Sequence, residues 1–287
     1  MPGKLPLWDR LSLTMGTMNY GNHGDENVLS DLNIRAGQTV SVQRMEALLA
    51  ELRTRSETAG LSATLYFPGE AARDDSAMFA LSQDRNPDSW ITTLERAGSR
   101  VLRSPTGVVA FRIGNAGLAV LPPFPLNSMW TGDIIYDWPL RTMLSAELTI
   151  GVALVRLGRY AIAVYEGQRL AVSKTDTRYV KSKHHAGGTS QRRFQRVRET
   201  QIHRLYAEAS GVLDKQWRPW MHKLDYVALG GEAATVNGFL KESQTLSRLS
   251  PIILERRLDV REPNRASLDE VGPMLYQCRL YPLSWDE

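Results

Sequence analysis

Three apolar runs follow one another with only two or three residues between them: Ile150 to Leu157, Tyr160 to Tyr165 and Arg169 to Ser173. Gly158-Arg159 separates the first pair and Glu166-Gly167-Gln168 the second. Runs of this length, split by short Gly-containing turns, can close only as neighbouring antiparallel strands, a β-meander. Downstream the apolar period changes. Gln191 to Trp217 reads as a long helix, with Phe194, Val197, Leu205 and Val212 on its apolar side and Arg192, Arg196 and His203 on another face. Tyr226 to Leu229 is an apolar strand, and Gly230-Gly231 turns it into a helix from about Glu232 to Glu242. Ile252 to Val260 reads as a last strand. Leu268, Val271, Leu275 and Cys278 repeat at helical spacing in a closing helix. Strands alternating with helices predict an α/β (α+β) fold, a mixed sheet flanked by helices.

A smaller α/β domain is expected upstream. Residues 1–35, polar and rich in Gly and Asn, read as a flexible or irregular arm. Val40 to Val42 closes a short strand. Gln43 to Arg55 carries Met45, Leu48, Leu49 and Leu52 on one helical face, and Ala63 to Phe67 is a buried strand ended by Pro68 and Gly69. Asp88 to Ala97 is a helix capped by Asp88 or Ser89. Val108 to Ile113 and Gly117 to Leu121 form a hairpin, and Ile134 to Tyr136 one more short strand. Pro139 marks the expected boundary, which gives domains at 36–138 and 139–287.

Between meander and long helix lies KSKHHAGGTSQRRFQRVRE, Lys181 to Glu199. Lys181, Lys183, Arg192, Arg193, Arg196 and Arg198 surround Gly187-Gly188, Thr189-Ser190 and Gln191. The chain carries +4, but Arg169 to Arg198 holds nine Lys/Arg against the single acid Asp176, a local +8 that leaves −4 for the rest. A basic patch on an acidic body points to a polyanion met at one surface. Glycines let backbone approach a ligand closely. The segment thus reads as a pliable cationic loop that brings one neutral amide side chain to nucleic acid.

Other classes find little support. One cysteine, Cys278, rules out an intramolecular disulfide and fits a reducing, cytoplasmic setting. No apolar run approaches the ~18 residues that span a bilayer, so no membrane partner is expected. Gly188-Thr189-Ser190 lacks the lysine of a phosphate-binding P-loop, and no GxGxxG occurs, so neither a small-molecule ligand nor a cofactor is expected. His184-His185 would need further ligands to hold a metal, and none stands nearby. Ser190 has histidines close in sequence but no orienting carboxylate. Trp217, Trp220 and Tyr226 beside Arg218 and Lys223 suit packing at the helix end better than base stacking.

A glutamine cannot be a general base near neutral pH, but it can orient water and donate hydrogen bonds. With backbone amides beside it, it can place water against an activated ester and stabilise the oxyanion that forms.

The segment resembles the catalytic loop of the archaeo-eukaryotic class I release factor superfamily. Those proteins carry a Gly-Gly-Gln tip, preceded by basic residues and a histidine and followed by a helix of Phe-x-Arg-x-Arg character. Here KSKHHAGG is followed by TSQ and then RRFQRVRE, with Phe194, Arg196 and Arg198 as the trio. The likeness covers roughly residues 140–287, the release-factor middle domain, and no codon-reading domain. Thr189 and Ser190 separate the glycines from the glutamine, so the tip is similar to the Gly-Ser-Gln branch that frees nascent chains in ribosome quality control, and to its bacterial relatives. Counted back from Phe194 without a gap, Thr189 occupies the family's glutamine position. The resemblance implies Gln191 as catalytic residue and Gly187 and Gly188 as hinge, with Thr189 and Ser190 in the loop. It implies that Lys181, Lys183, His184, His185, Arg192, Arg193, Arg196 and Arg198 hold RNA. The implied partners are peptidyl-tRNA and the peptidyl-transferase centre of the large ribosomal subunit. The implied activity is codon-independent peptidyl-tRNA hydrolysis on stalled large subunits. The alternative is a non-catalytic ribosome- or tRNA-binding factor with a degenerate tip.

Overall fold

A computed structural model describes residue 29 and residues 32–71, 87–178 and 189–285, with backbone alone at 87–89, 189–192 and 194. Two compact units divide it: residues 1–146 with 276–287, and residues 147–275. The expected arm thus lies largely outside the described residues.

The first unit is an antiparallel sheet in the order β1-β10-β4-β3-β2-β5. Its strands are β1 (Gln38–Val40), β2 (Ser62–Phe67), β3 (Val108–Ile113), β4 (Ala116–Leu121), β5 (Trp130–Gly132) and β10 (Cys278–Ser284). Helix α1 (Val42–Ser56) starts where the Ser41 hydroxyl accepts from the Arg44 amide at 3.3 Å, and buries Met45, Leu48, Leu49 and Leu52 as their spacing requires. Helices α2 (Pro87–Ala97) and α3 (Ser99–Leu102) follow β2. Trp90 and Leu94 pack with Phe67, Val108 and Leu283. Ile134 to Tyr136 does not form a strand. Thr64 and Tyr66 side chains hold it instead: Thr64 Oγ1 donates to Ile134 O (2.7 Å) and accepts from Tyr136 N (3.0 Å), and Tyr66 Oη donates to Tyr136 O (2.7 Å). Pro139 proves to be a first-turn residue of α4 (Trp138–Ser145) and not the boundary.

The second unit is a four-stranded mixed sheet, β8-β7-β6-β9. Its meander runs β6 (Thr149–Arg156), β7 (Arg159–Glu166) and β8 (Arg169–Thr177), paired antiparallel. Helix α5 (Thr189–Trp217) then returns the chain to β9 (Tyr226–Gly230), which lies parallel to β6. Gly231 makes the next turn at φ 122, where a Cβ would stand 2.1 Å from the Val155 carbonyl oxygen. Helices α6 (Ala233–Glu242), α7 (Gln244–Arg248) and α8 (Arg265–Leu275) complete it. Leu205, Tyr206, Ala209, Leu213 and Trp217 of α5 bury one stripe against Ile162, Val164, Val227 and Leu229 of the sheet and Phe239 of α6. This is the α/β (α+β) architecture the strand and helix order predicts.

Two tail elements differ from expectation. Ile252 to Val260 touches β9 only through single parallel bridges, Val227 with Ile253 and Gly230 with Leu258. Between them the chain leaves the sheet, and Arg256 donates to the Met274 carbonyl at 2.7 Å. Cys278 belongs to β10, not to a closing helix, which ends at Leu275. Its three-residue spacing from Leu275 suits a helix, but it also starts an alternation with Leu280, and pairing with both β1 and β4 decides for strand. The C-terminal strand therefore completes the first unit, so the expected 139–287 domain gives up both α4 and β10. Among the described residues no helix is long and apolar enough to cross a membrane.

Candidate nucleic-acid interface

The basic segment leaves the sheet at its edge. Among the described residues β8 pairs with β7 alone, and all of its residues are at least partly exposed. The chain is fixed just before it departs: the Arg178 amide donates to Gly158 O at 2.7 Å, and the Arg178 guanidinium pairs with Glu208 of α5. Lys181, Lys183, His184, His185, Gly187 and Gly188 lie outside the described residues.

Helix α5 begins at Thr189, two residues earlier than expected, so Thr189, Ser190, Gln191 and Arg192 form its first turn. First-turn amides have no acceptor within their own helix and carry the positive end of its dipole. The glutamine thus sits beside the amides best placed to meet an anion.

At ~1.5 Å per residue, the 29 residues of α5 extend about 43 Å. Burial begins only at Leu205; from Arg193 to Arg204 every residue described is exposed or half-exposed. Within that stretch Ile202 is partly buried against the core. Val197, expected on the apolar side, is exposed, and Val212 is half-buried. Arg193 and Arg196 are exposed and carry no ion pair among the described residues. Arg198 is half-buried on the Tyr206 side. Burial raises the pKa of the Tyr206 phenol, Glu242 adds to the rise, and Arg198 opposes it. His203, grouped with the arginines by sequence, instead pairs through Nδ1 with Glu242 of α6. Trp217 is fully buried and donates from Nε1 to Ala163 O at 2.9 Å, so it packs and does not stack on bases. Among the described residues no group of three or more His, Cys, Asp or Glu could hold a metal.

Sequence reasoning missed the Arg178–Glu208 tie. Thirty residues separate its partners, and only the return of α5 along the sheet edge brings them together.

A long helix, its C-terminal half buried on a mixed sheet and its N-terminal half largely exposed, with Arg193 and Arg196 without an ion pair among the described residues, characterises the second unit. Residues 148–280 match the sequence family described as the Actinobacteria/Chloroflexi VLRF1 release factor. Peptide chain release factor subunit 1 of Archaeoglobus fulgidus is 30% identical over 117 residues, which span 41% of this chain and 29% of that protein. The Saccharolobus solfataricus counterpart is 24% identical over 252 residues, 80% of this chain and 68% of the relative. Among solved structures, the archaeal translation termination factor aRF1 superposes with a TM-score of 0.33 at 21% identity, covering 83% of this chain and 73% of that one. The chain is related to the class I release factor superfamily.

Proposed function

We propose that this protein is a release-factor-like peptidyl-tRNA hydrolase that frees nascent chains on stalled large ribosomal subunits without reading a codon. The match of residues 148–280 to a release-factor family carries the reading. The exposed arginines on the free half of α5, and Gln191 in its first turn, agree with it.

The chemistry asks little of the protein. Water attacks the ester carbonyl carbon and the bond to the tRNA ribose oxygen breaks, leaving a free peptide carboxyl group and a tRNA hydroxyl. Gln191 orients the water. Backbone amides of the first turn of α5 stabilise the oxyanion. A ribose hydroxyl of the tRNA supplies the proton path, as the family resemblance implies. Gly187 and Gly188 let the segment adopt its working conformation only against RNA, and Lys181, Lys183, His184, His185, Arg192, Arg193, Arg196 and Arg198 bind phosphate. The work is done in the cytoplasm, where ribosomes are.

The second reading is a binding factor that does not hydrolyse. Thr189, counted without a gap from Phe194, stands where the family has its glutamine. Release of labelled peptide from peptidyl-tRNA on isolated large subunits separates the two. The hydrolase frees peptide, and Gln191→Ala stops it while binding persists. Salt-sensitive binding with no release at any protein concentration leaves the binding factor.

A further inference from the structure

The solvent face of α5 carries a cationic seam that continues well past the end of the basic segment at Glu199. At about 100° per residue, Arg193, Arg204, Lys215 and, just past the helix end, Arg218 fall within about 40° of one line along its axis. The other residues on that line are Val197, Thr200, Ala207 and Gly211, and all eight are exposed. A Cβ built on Gly211 would meet nothing within 4 Å. No acid lies on the line, and the four cations have no side-chain hydrogen bond or ion pair among the described residues.

A merely solvated helix face would intersperse acids with these bases and form pairs three or four residues apart. Here the three acids of α5 are engaged elsewhere. Glu199 accepts from Gln195 Nε2 at 3.0 Å, Glu208 pairs with Arg178, and Asp214 accepts from the Thr245 hydroxyl of α7. Arg204 has Glu208 four residues on, within reach for a pair, yet that carboxylate is turned to Arg178 across the sheet edge. The fold thus withholds the local counter-charges and leaves the cations to an outside anion.

We propose that this seam is a docking surface for the phosphate backbone of double-helical RNA. The cations run in a line of about 38 Å, the small residues between them let a sugar-phosphate ridge come close, and one continuous helix of that length matches a rigid duplex better than a folded single strand. Recognition is by shape and charge, without base contacts. The inference rests on the RNA-facing reading of α5 but not on hydrolysis.

The test uses the full-length protein and an RNA hairpin with a stem of about 16 base pairs, which offers no ester to cleave. Binding is measured across salt concentrations for wild type and for Arg204→Gln/Lys215→Gln/Arg218→Gln. All three side chains are exposed and unpaired, so the variant should melt as wild type does, which the same samples verify. The expected result is at least tenfold weaker duplex binding at about 0.1 M salt, with the slope of log K against log salt reduced by about 2 to 3. Binding of unstructured RNA should change less than threefold. Unchanged duplex affinity and slope overturn the proposal. So does an equal loss with single strands or polyglutamate, which would make the seam a general anion surface. Loss of release in Gln191→Ala together with this result upholds both readings. A wild-type protein inert in release but showing this result loses only the hydrolase.

Discussion

The indole of Trp217 lies against the bare α-carbon of Gly151, where a β-carbon would come within 3.0 Å of the ring. The contact locks the end of the long helix onto the first strand of the meander. Trp217 is fully buried, and its Nε1–H is satisfied by Ala163 O. Trp217→Ala should therefore cost about 3–5 kcal/mol of unfolding free energy, read by urea denaturation. Gly151→Val should also destabilise, because the Ala163 bond keeps the ring from moving aside. A Gly151→Val variant as stable as wild type would show that the ring can shift.

The Arg178–Glu208 pair joins the residue just after β8 to the buried half of α5. Their side chains are 49% and 39% exposed, so water and salt screen the attraction. A double-mutant cycle with alanine at both positions should give a coupling below about 1 kcal/mol, largely gone at about 1 M salt, where the Debye length falls to ~3 Å. The pair acts mainly by geometry: it sets where the segment leaves the sheet, and it takes Glu208 away from Arg204. Glu208→Gln should accordingly tighten binding of duplex RNA modestly, about twofold to fivefold, for the loss of one negative charge beside the seam.

Alkali should weaken the fold through its tyrosines. Burial raises the phenol pKa of Tyr66 well above 10.0; the backbone at Leu140 opposes this, and Asp137 and Tyr136 add to it. Burial likewise raises Tyr165, Tyr160 and Tyr226. For each, the folded state holds the phenolic proton more tightly than the unfolded chain. The contribution is complete below the unfolded value of 10.0 and is lost as pH rises from there through the folded pKa. Denaturant midpoints should be flat on this account from pH 8 to about 10 and then fall. Tyr66→Phe should lower stability below pH 10, since Tyr136 O loses its donor, yet make the alkaline decline shallower. An equally steep decline in that variant would remove Tyr66 from the explanation.

The parts legible in the sequence were those whose periodicity reports burial directly. The first two meander strands, α1 and the long helix appear within a residue or two of their expected limits, while β8 runs four residues past Ser173, where exposed polar residues leave no periodicity to read. β10 was hidden because Cys278 satisfies helical and strand spacing together, and only pairing with β1 and β4 decides between them. Ile134 to Tyr136 has strand composition, but Thr64 and Tyr66 side chains take its backbone groups. At the candidate site, the order of the cations was plain from sequence, but that Arg193, Arg204, Lys215 and Arg218 lack ion pairs among the described residues was not. That depends on Glu208 meeting Arg178, Asp214 meeting Thr245 and Glu242 meeting His203, contacts between residues 30 or more apart in the chain.

The start of α5 at Thr189 sharpens the question of which position acts on the ester. Positions 189 and 191 share the first turn, yet about 200° of rotation around the axis separates them, and about 3 Å along it. One cannot substitute for the other without a change in how the helix start meets RNA. If Gln191 orients the water, Gln191→Ala should lower single-turnover peptide release on large subunits by about 10²–10³-fold, the usual loss for one donor at a developing oxyanion. Subunit binding should change little. Adding Thr189→Gln to that variant should leave release low, because it restores the family's spacing from Phe194 but presents the amide on the wrong side of the turn. Recovery to within about tenfold of wild type would instead assign the chemistry to position 189 and leave Gln191 as a phosphate contact.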